Sequence, residues 1–335
     1  MKILMVNDMG YKHGGAEVYM FTLKRHLELK GHKVEIFSTN NINKYILKRQ
    51  NYYQLKINEI FNLKAYWKIK KTIKKFKPHI IHLHNILYYI SPSILASVRN
   101  IPTVMTVHDY AITCPRVVRL YQNEEICKEP FGLKCLEKGC VSSKLYLYER
   151  IKRLIHRSLF RNIDLFIAPS CFMAKILTLN KFWPIKELHY SIDISSYDFI
   201  KKIKTDNIVL FVGRITEQKG VRYILEAMPL LIKEIPNIKL LIVGDGAERE
   251  NFEKLTKKLN IQQNVEFLGR ITNEELPYIY RKADVVVVPS IWPEVFGIVG
   301  LEAMACGRPT VGSDIGGIPE CCLLYTSDAA DDGES

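Results

Sequence analysis

Short apolar runs alternate with amphipathic stretches along most of the chain. Residues 2–7 (KILMVN) read as a strand, and Ala16–Leu29 carries helical periodicity that stops at Gly31. VEIFST, PHIIHLHN (78–85) and PTVMTVHDY (102–110) are further apolar runs ending in polar residues; a helix is expected after the second of these and another over 144–160. NIDLFIAPS (162–170) and ADVVVVPS both close on Pro-Ser, and the segment from Asp206 to Glu320 repeats the strand, turn and helix formula. The four valines Val285–Val288 mark a strand covered on both faces, and a helix rich in small residues is expected over Ile298–Cys306. Strands alternating with helices predict parallel sheets. The expected class is α/β, with two Rossmann-like domains facing a cleft: 1–190, carrying an insertion at 111–143, and 191–320.

Composition narrows the picture. The chain has 335 residues, 47% of them hydrophobic, enough to bury two cores. No apolar run reaches the ~18 residues that span a bilayer, and MKILMVND reads as a first strand, so a cytoplasmic protein is expected. The charge is uneven. Residues 1–190 hold 32 Lys+Arg against 13 Asp+Glu (+19), and residues 191–335 hold 16 against 22 (−6). The densest basic stretch, Lys64–Lys77, sets Tyr66, Ile69, Ile73 and Phe76 at helical spacing with lysines on the other face. A solvated surface helix and a face resting on anionic lipid are both consistent with it. No nucleic-acid-binding motif accompanies the charge.

Candidate chemistry gathers where strands end, since open α/β sheets bind ligands at their carboxyl edge. Gly14-Gly15 follows the first strand but lacks the Gly-x-Gly-x-x-Gly spacing of a dinucleotide fingerprint. His82, His84 and His108 close two others. IVLFVG leads to Arg214 and Lys219, two cations near a helix start suited to a diphosphate, one as a fork and one as a point charge. In IWPEVFG the loop presents Glu294, and Glu302 follows on the helix whose opening amides favour an anion.

These segments resemble glycosyltransferase family 4, the retaining group 1 glycosyl transferases with a GT-B fold. PEVFGIVGLEAMACGRP is similar to its signature of two glutamates separated by seven residues; FVGRITEQKG, TVHDY and the Gly-Gly-Ala-Glu loop match in order, and the likeness covers about residues 1–320. It implies transfer of a sugar from a nucleotide diphosphate to an acceptor hydroxyl, with no cofactor and no metal, Arg214 and Lys219 stabilising the leaving diphosphate. It implies that Glu302 holds the ribose, that Glu294 with Phe296, Gly297 and Ile298 holds the donor sugar, and that Gly213, Gly269, Arg270 and Ile271 line the phosphates and base. Gly14, Gly15 and His108 would complete the cleft from the other domain. A polysaccharide or lipid-linked acceptor, a peripheral position on an anionic membrane and no nucleic acid partner complete that expectation. The likeness places a hinge in 186–197, and where the family reads Asn-Gly there, this chain has Tyr190-Ser191.

Cys114, Cys127, Cys135 and Cys140 cluster in the insertion without paired CxxC spacing; a structural zinc and four reduced thiols are the two readings. The closing residues 321–335 (CCLLYTSDAADDGES) show neither strand nor helix periodicity and read as a non-native tail, leaving the second domain incomplete. Two rival functions stand beside the transferase. A nucleotide-sugar epimerase or dehydrogenase lacks its glycine fingerprint here, and a non-catalytic nucleotide-sugar-binding protein would share the same motifs.

Overall fold

The computed structural model describes residues 1–12, 14–38, 52–121, 125–197 and 206–323. They form two compact units, Met1–Tyr190 and Ser191–Ser335. Both are α/β with parallel sheets, the class the alternating pattern implied.

The first unit runs β1 (Lys2–Val6), α1 (Gly15–Leu29), β2 (Lys33–Phe37), α2 (Tyr52–Ile60), α3 (Leu63–Phe76), β3 (Ile80–Leu83), β4 (Thr103–Thr106), α4 (Lys134–Glu137), α5 (Ser143–Phe160), β5 (Leu165–Ala168), α6 (Cys171–Leu179) and β6 (Ile185–Glu187). Its strands lie in the order β2-β1-β3-β4-β5-β6, all parallel. The chain passes from β1 to β2 on one side and returns to β3 on the other. The order therefore reverses between β1 and β3, and such a switch point opens a crevice above the carboxyl ends. Ile3, Met5, Met20 and Val34 bury this side of the sheet beneath α1.

The second unit runs β7 (Ile208–Val212), α7 (Val221–Glu234), β8 (Lys239–Val243), α8 (Arg249–Lys258), β9 (Val265–Gly269), α9 (Leu276–Lys282), β10 (Val285–Val288), α10 (Ile298–Ala305), β11 (Thr310–Gly312) and α11 (Ile318–Leu323). Its order, β11-β10-β7-β8-β9, reverses between β7 and β10. Core residues cover both faces. Val209, Phe211, Leu225, Leu240 and Phe252 pack on one side, with Val285 and Val287 against them. Leu210, Tyr280, Ala303 and Val286 pack on the other. Alternate valines of β10 therefore serve opposite cores, and each buried one contributes about 1.5–3 kcal/mol.

Backbones meet closely at this switch. Gly220 has φ +72°, and a Cβ there would stand 1.8 Å from the Pro289 carbonyl oxygen. Only glycine lets the start of α7 lie against the end of β10.

Two expectations need correction, and one helix had no sequence signal. The segment after β3 forms a 3₁₀ helix (Pro92–Ser97) whose Ser91 cap folds back on α2 and α3, because Pro92 and bonds from Ser91 and Ser93 set its geometry. Helix α2 carries no strong apolar period and was not anticipated. The tail is not structureless from residue 321: α11 continues through Leu323, with Cys321 buried against α10. Residues 324–335 lie outside the described set.

Candidate functional site

In the first unit, polar residues converge above β1, β3 and β4. Asn85 N–H donates to Asn7 Oδ1 (2.9 Å) and Asp8 N–H to the Asn85 carbonyl (2.6 Å), lacing the two loops of the switch point together. Asp8 is 2% exposed. Its carboxylate accepts the backbone N–H groups of Tyr88, Tyr89 and Ile90 at 2.9, 2.9 and 2.7 Å. Burial pushes this carboxyl up to about 7, against the pull of those three donors toward the charged form.

The glycine loop is held by a second carboxylate. Glu17 accepts from Asn7 Nδ2 (3.1 Å) and from Gly14 N–H (3.0 Å), so α1 caps itself through its own third residue. Gly14 is extended at φ −155°, and a Cβ there would meet only Glu17 Oε2, at 3.6 Å. The fold does not itself demand glycine at this position.

Beside the loop stands a row of rings. His82 and His84 stack at 4.3 Å, His84 and His108 at 5.1 Å, and His108 and Tyr190 at 5.5 Å, with Tyr19 of α1 edge-on to His108. Hydrogen bonds run along the row: His84 Nδ1 to His108 Nε2 (2.8 Å) and His108 Nδ1 to Tyr190 Oη (2.5 Å). Burial lowers His82 to about 4 and His108 to about 3, and lowers His84 too. All three are neutral at pH 7. His84 Nε2 is buried with no partner. A bare lone pair is cheaper to strand than an N–H, so the network assigns the other proton to each ring: His84 Nδ1–H donates to His108, and His108 Nδ1–H donates to Tyr190. Tyr190 thus contacts His108 at the very position where the family pattern is broken.

In the second unit the crevice between β7 and β10 brings Lys219 and Glu294 together at 2.5 Å. Ser290 Oγ donates to the same carboxylate at 2.6 Å, and the ammonium lies 5.5 Å from the Trp292 ring centre. Burial alone raises the Glu294 carboxyl; Lys219, Ser290 and Trp292 outweigh it and hold the group below its usual value. Arg214 is exposed, and among the described residues its guanidinium has no hydrogen-bond or ion-pair partner. The two expected diphosphate cations therefore differ. One is neutralised by a carboxylate, and one is open to solvent.

Glu302 lies on α10 and accepts from Tyr280 Oη at 2.8 Å, with Tyr197 bonded to it as well; burial raises its carboxyl against both phenols. Gly297 caps α10 at φ +93° beside Phe296 and Ile298. The loop carrying Glu294 is buttressed by Gly316 and Gly317: Gly317 N–H donates to the Glu294 carbonyl at 2.8 Å, and a Cβ on Gly316 would stand 2.5 Å from that oxygen. Gly213 N–H bonds the Val243 carbonyl (3.0 Å), and Gly244 N–H the Gly269 carbonyl (2.7 Å). Arg270 pairs loosely with Asp245 at 3.9 Å, next to Ile271.

The zinc reading does not fit the cysteines. Among the described residues no three of the Cys114, Cys127, Cys135 and Cys140 sulfurs lie within 4.8 Å of one another, and all four are free thiols. The insertion is organised by Arg119, 1% exposed, whose guanidinium donates to the carbonyls of Cys127 and Glu129, each at 3.0 Å.

The sequence profile described as Glycosyltransferase Family 4 matches residues 13–194, and that described as Glycosyl transferases group 1 matches residues 193–323. An uncharacterized glycosyltransferase of Methanocaldococcus jannaschii is 47% identical over 115 residues, 34% of this chain and 29% of that one. Glycogen synthase of Mycobacterium tuberculosis is 28% identical over 269 residues, 78% of this chain and 58% of that one. The chain thus spans 29–58% of the length of these curated relatives. Among solved structures, Anabaena HepE in complex with UDP-glucose superposes with a TM-score of 0.62 at 19% identity, covering 99% of this chain and 90% of that one.

Asp8 and Tyr190 each give a measurable expectation. Because the folded state keeps a proton on Asp8 that the unfolded chain releases near 4, stability falls as pH rises from about 4 to about 7, by at most about 1.4 kcal/mol per pH unit. In Asp8→Asn this component of the slope is absent, and turning an amide toward a backbone donor costs about 1–3 kcal/mol; urea melts across that pH range measure both. Tyr190→Phe removes the acceptor of His108 Nδ1–H. Long-range proton–nitrogen correlation of the imidazoles should show a single Nδ1–H tautomer of His108 in the parent protein and a shift toward Nε2–H in the variant.

Proposed function

The chain belongs to glycosyltransferase family 4, and from that premise we propose that it transfers a sugar, with retention at the anomeric carbon, from a nucleotide diphosphate donor to an acceptor hydroxyl. The observation that carries this reading is the pairing of Lys219 with Glu294 in the β7/β10 crevice while Arg214, on the same loop after β7, is exposed and unpaired among the described residues. A buried carboxylate–ammonium pair at a switch point is a poor stabilising device on its own, since desolvation offsets most of its attraction. It makes sense as a preset site: an arriving diphosphate takes Arg214 and draws on Lys219, and Glu294 is freed to accept a sugar hydroxyl.

In this mechanism Arg214 and Lys219 supply the positive charge that the departing diphosphate needs, so no divalent cation is required. Glu302, already an acceptor for two phenols, exchanges one of them for a ribose hydroxyl. The amides after Gly297 at the start of α10 face the sugar through Phe296 and Ile298. Gly213, Gly269, Arg270 and Ile271 border the phosphates and base, as the family pattern implies. His108, neutral and fixed by Tyr190, offers a hydrogen bond rather than a charge, and Gly14 and Gly15 leave room for the substrate. The UDP-glucose complex of the Anabaena relative supports a uridine donor. An acceptor in surface polysaccharide or glycolipid synthesis is the accompanying proposal.

The first unit also carries a face suited to an anionic bilayer surface. Helix α3 turns Lys64, Lys68, Lys71 and Lys75 to solvent, with Trp67 and Leu63 exposed among them. On α5, Leu147, Ile151 and Leu154 are 60%, 48% and 66% exposed. At 100° per residue these three share one outward stripe. Arg150, Arg157 and Arg161 edge it on one side and Lys144 on the other, and the one acidic residue of the helix, Glu149, is buried. Among the described residues no helix is long and apolar enough to cross a membrane.

Incubation with UDP-, GDP- and ADP-sugars should release nucleotide diphosphate from one donor, with or without a chelator. Arg214→Ala should cut turnover about 10²–10³-fold while the exposed site leaves stability within about 0.5 kcal/mol. Binding of donor without release by the parent protein would instead indicate a non-catalytic sugar-nucleotide binder. Sedimentation with phosphatidylglycerol vesicles should capture the protein at low salt and release it at high salt. Leu147→Gln/Leu154→Gln should lower capture about tenfold or more, by the burial lost from two leucines; equal capture by neutral vesicles would sink the electrostatic part.

A further inference from the structure

The inner face of α5 closes a cavity that the transferase reading does not use. Its volume is about 380 Å³, within the range of small-ligand sites. It lies wholly in the first unit, between α2, the loops after β3 and β4, the insertion, α5 and the end of α6. Two kinds of side chain line it, and they meet where the Arg153 guanidinium lies 4.9 Å from the Phe131 ring centre. Ile112, Phe131, Phe160 and Phe182 supply apolar lining. Lys56, Lys152, Arg153, Arg157 and Lys181 supply cations, with Glu59 and Glu149 the acidic residues of the lining.

The charges do not cancel. Glu59 is taken by Lys56 at 2.9 Å, and Lys152 lies 3.8 Å from it. Glu149 is taken by Lys152 at 2.5 Å, with Arg153 Nε at 3.3 Å. Three cations thus answer two carboxylates. Arg157 and Lys181 have no carboxylate partner among the described residues. His156, also in the wall, bonds the Glu59 carbonyl at 3.0 Å, and burial lowers it to about 4, so it adds no charge and removes none. The lining carries a net charge of +3 at pH 7, from five cations and two carboxylates. Nothing in the packing calls for that excess: a cavity built only for stability would be filled by apolar side chains or balanced in charge.

From this we propose that the cavity binds a phosphate ester of an apolar chain, the phosphate held by Arg157 and Lys181 and the chain lying along the phenylalanines. The excess positive charge selects a dianionic group over a carboxylate or a neutral polar head. The aromatic wall selects an amphiphile over a free phosphate or sugar phosphate. Arg157 sits where the outward stripe of α5 meets the rim, so a chain can pass from a bilayer surface into the cavity without crossing bare water. The ligand's further role as the grip on a lipid-linked acceptor rests on the transferase reading; its binding does not.

Calorimetry with monomeric dodecyl phosphate, below its micelle concentration, tests the site against inorganic phosphate and uncharged dodecyl maltoside. The expected result is dodecyl phosphate binding at least tenfold tighter than either. Cys114, in the cavity wall, should then be alkylated more slowly in its presence, as read by peptide mass. Arg157→Gln/Lys181→Asn, both at exposed positions, should weaken dodecyl phosphate at least tenfold and leave the maltoside unchanged. Equal binding of phosphate and maltoside amphiphiles overturns the proposal, as does undiminished binding by the double variant. Capture by vesicles containing phosphatidic acid, a phosphate monoester lipid, with Cys114 unprotected also overturns it, since the lipid is then met at the surface alone. Binding with Cys114 protected, in a protein that releases no nucleotide from any donor, supports the cavity and counts only against the transferase reading.

Discussion

Carboxylates withdrawn from water organise both halves of this molecule. A buried carboxylate is tolerated only where donors replace its hydration, and here Asp8 and Glu294 recruit some of theirs about eighty residues away while Glu17 takes its own from nearby. Asp8 gathers three consecutive backbone amides, Glu17 the entry to its own helix, Glu294 an ammonium and a hydroxyl, and Glu302 two phenols. For Asp8, Glu17 and Glu294 the bonded groups lie in loops at the carboxyl edge of a sheet, whereas Glu302 is held by Tyr280 of α9 and by Tyr197. The same demand that shapes those loops therefore sets the positions of the groups proposed to meet substrate.

The contrast between the two switch points is instructive. Around β1 and β3 the loops are tied by backbone amides on the Asp8 and Glu17 carboxyls, beside a row of rings that fixes geometry without presenting charge. Around β7 and β10 they are tied by an ion pair and by glycines that let main chains touch, at Gly220 on Pro289 and at Gly316 on Glu294. A neutral, rigid platform suits the recognition of hydroxyls. A charged site with one cation unanswered suits a leaving diphosphate.

Much of the fold was legible because parallel strands are short apolar runs and their helices carry a 3.6-residue period; β10, with valines serving two cores, is the clearest case. The loop motifs located Lys219, Glu294 and Glu302, but their partners were not readable. Pro-Ser ends both β5 and β10. Ser170 caps α6 by accepting from Met173 N–H, while Ser290 donates to Glu294, and no local signal separates the two uses. Asp8 finds its donors about eighty positions away, and Tyr190 reaches His108 over a similar separation. Arg119 was passed over because a basic residue in a charged insertion looks solvated, whereas burial and two carbonyls make it the centre of that segment. Cysteine spacing suggested a metal for the same stretch, and spacing cannot report where sulfurs point.

The ring row from His82 to Tyr190 has a consequence for how the first unit responds to its surroundings. Its imidazoles are held so far below neutrality by burial that acidification through the range of living cells leaves them uncharged. The large positive excess of that unit resides in lysines and arginines, which do not titrate there either. Ionic strength is thus one variable by which an environment can tune how strongly this half attracts anionic matter, while the rings keep one electrostatic character and Asp8, held near 7, is a buried group beside them that still answers to acidity.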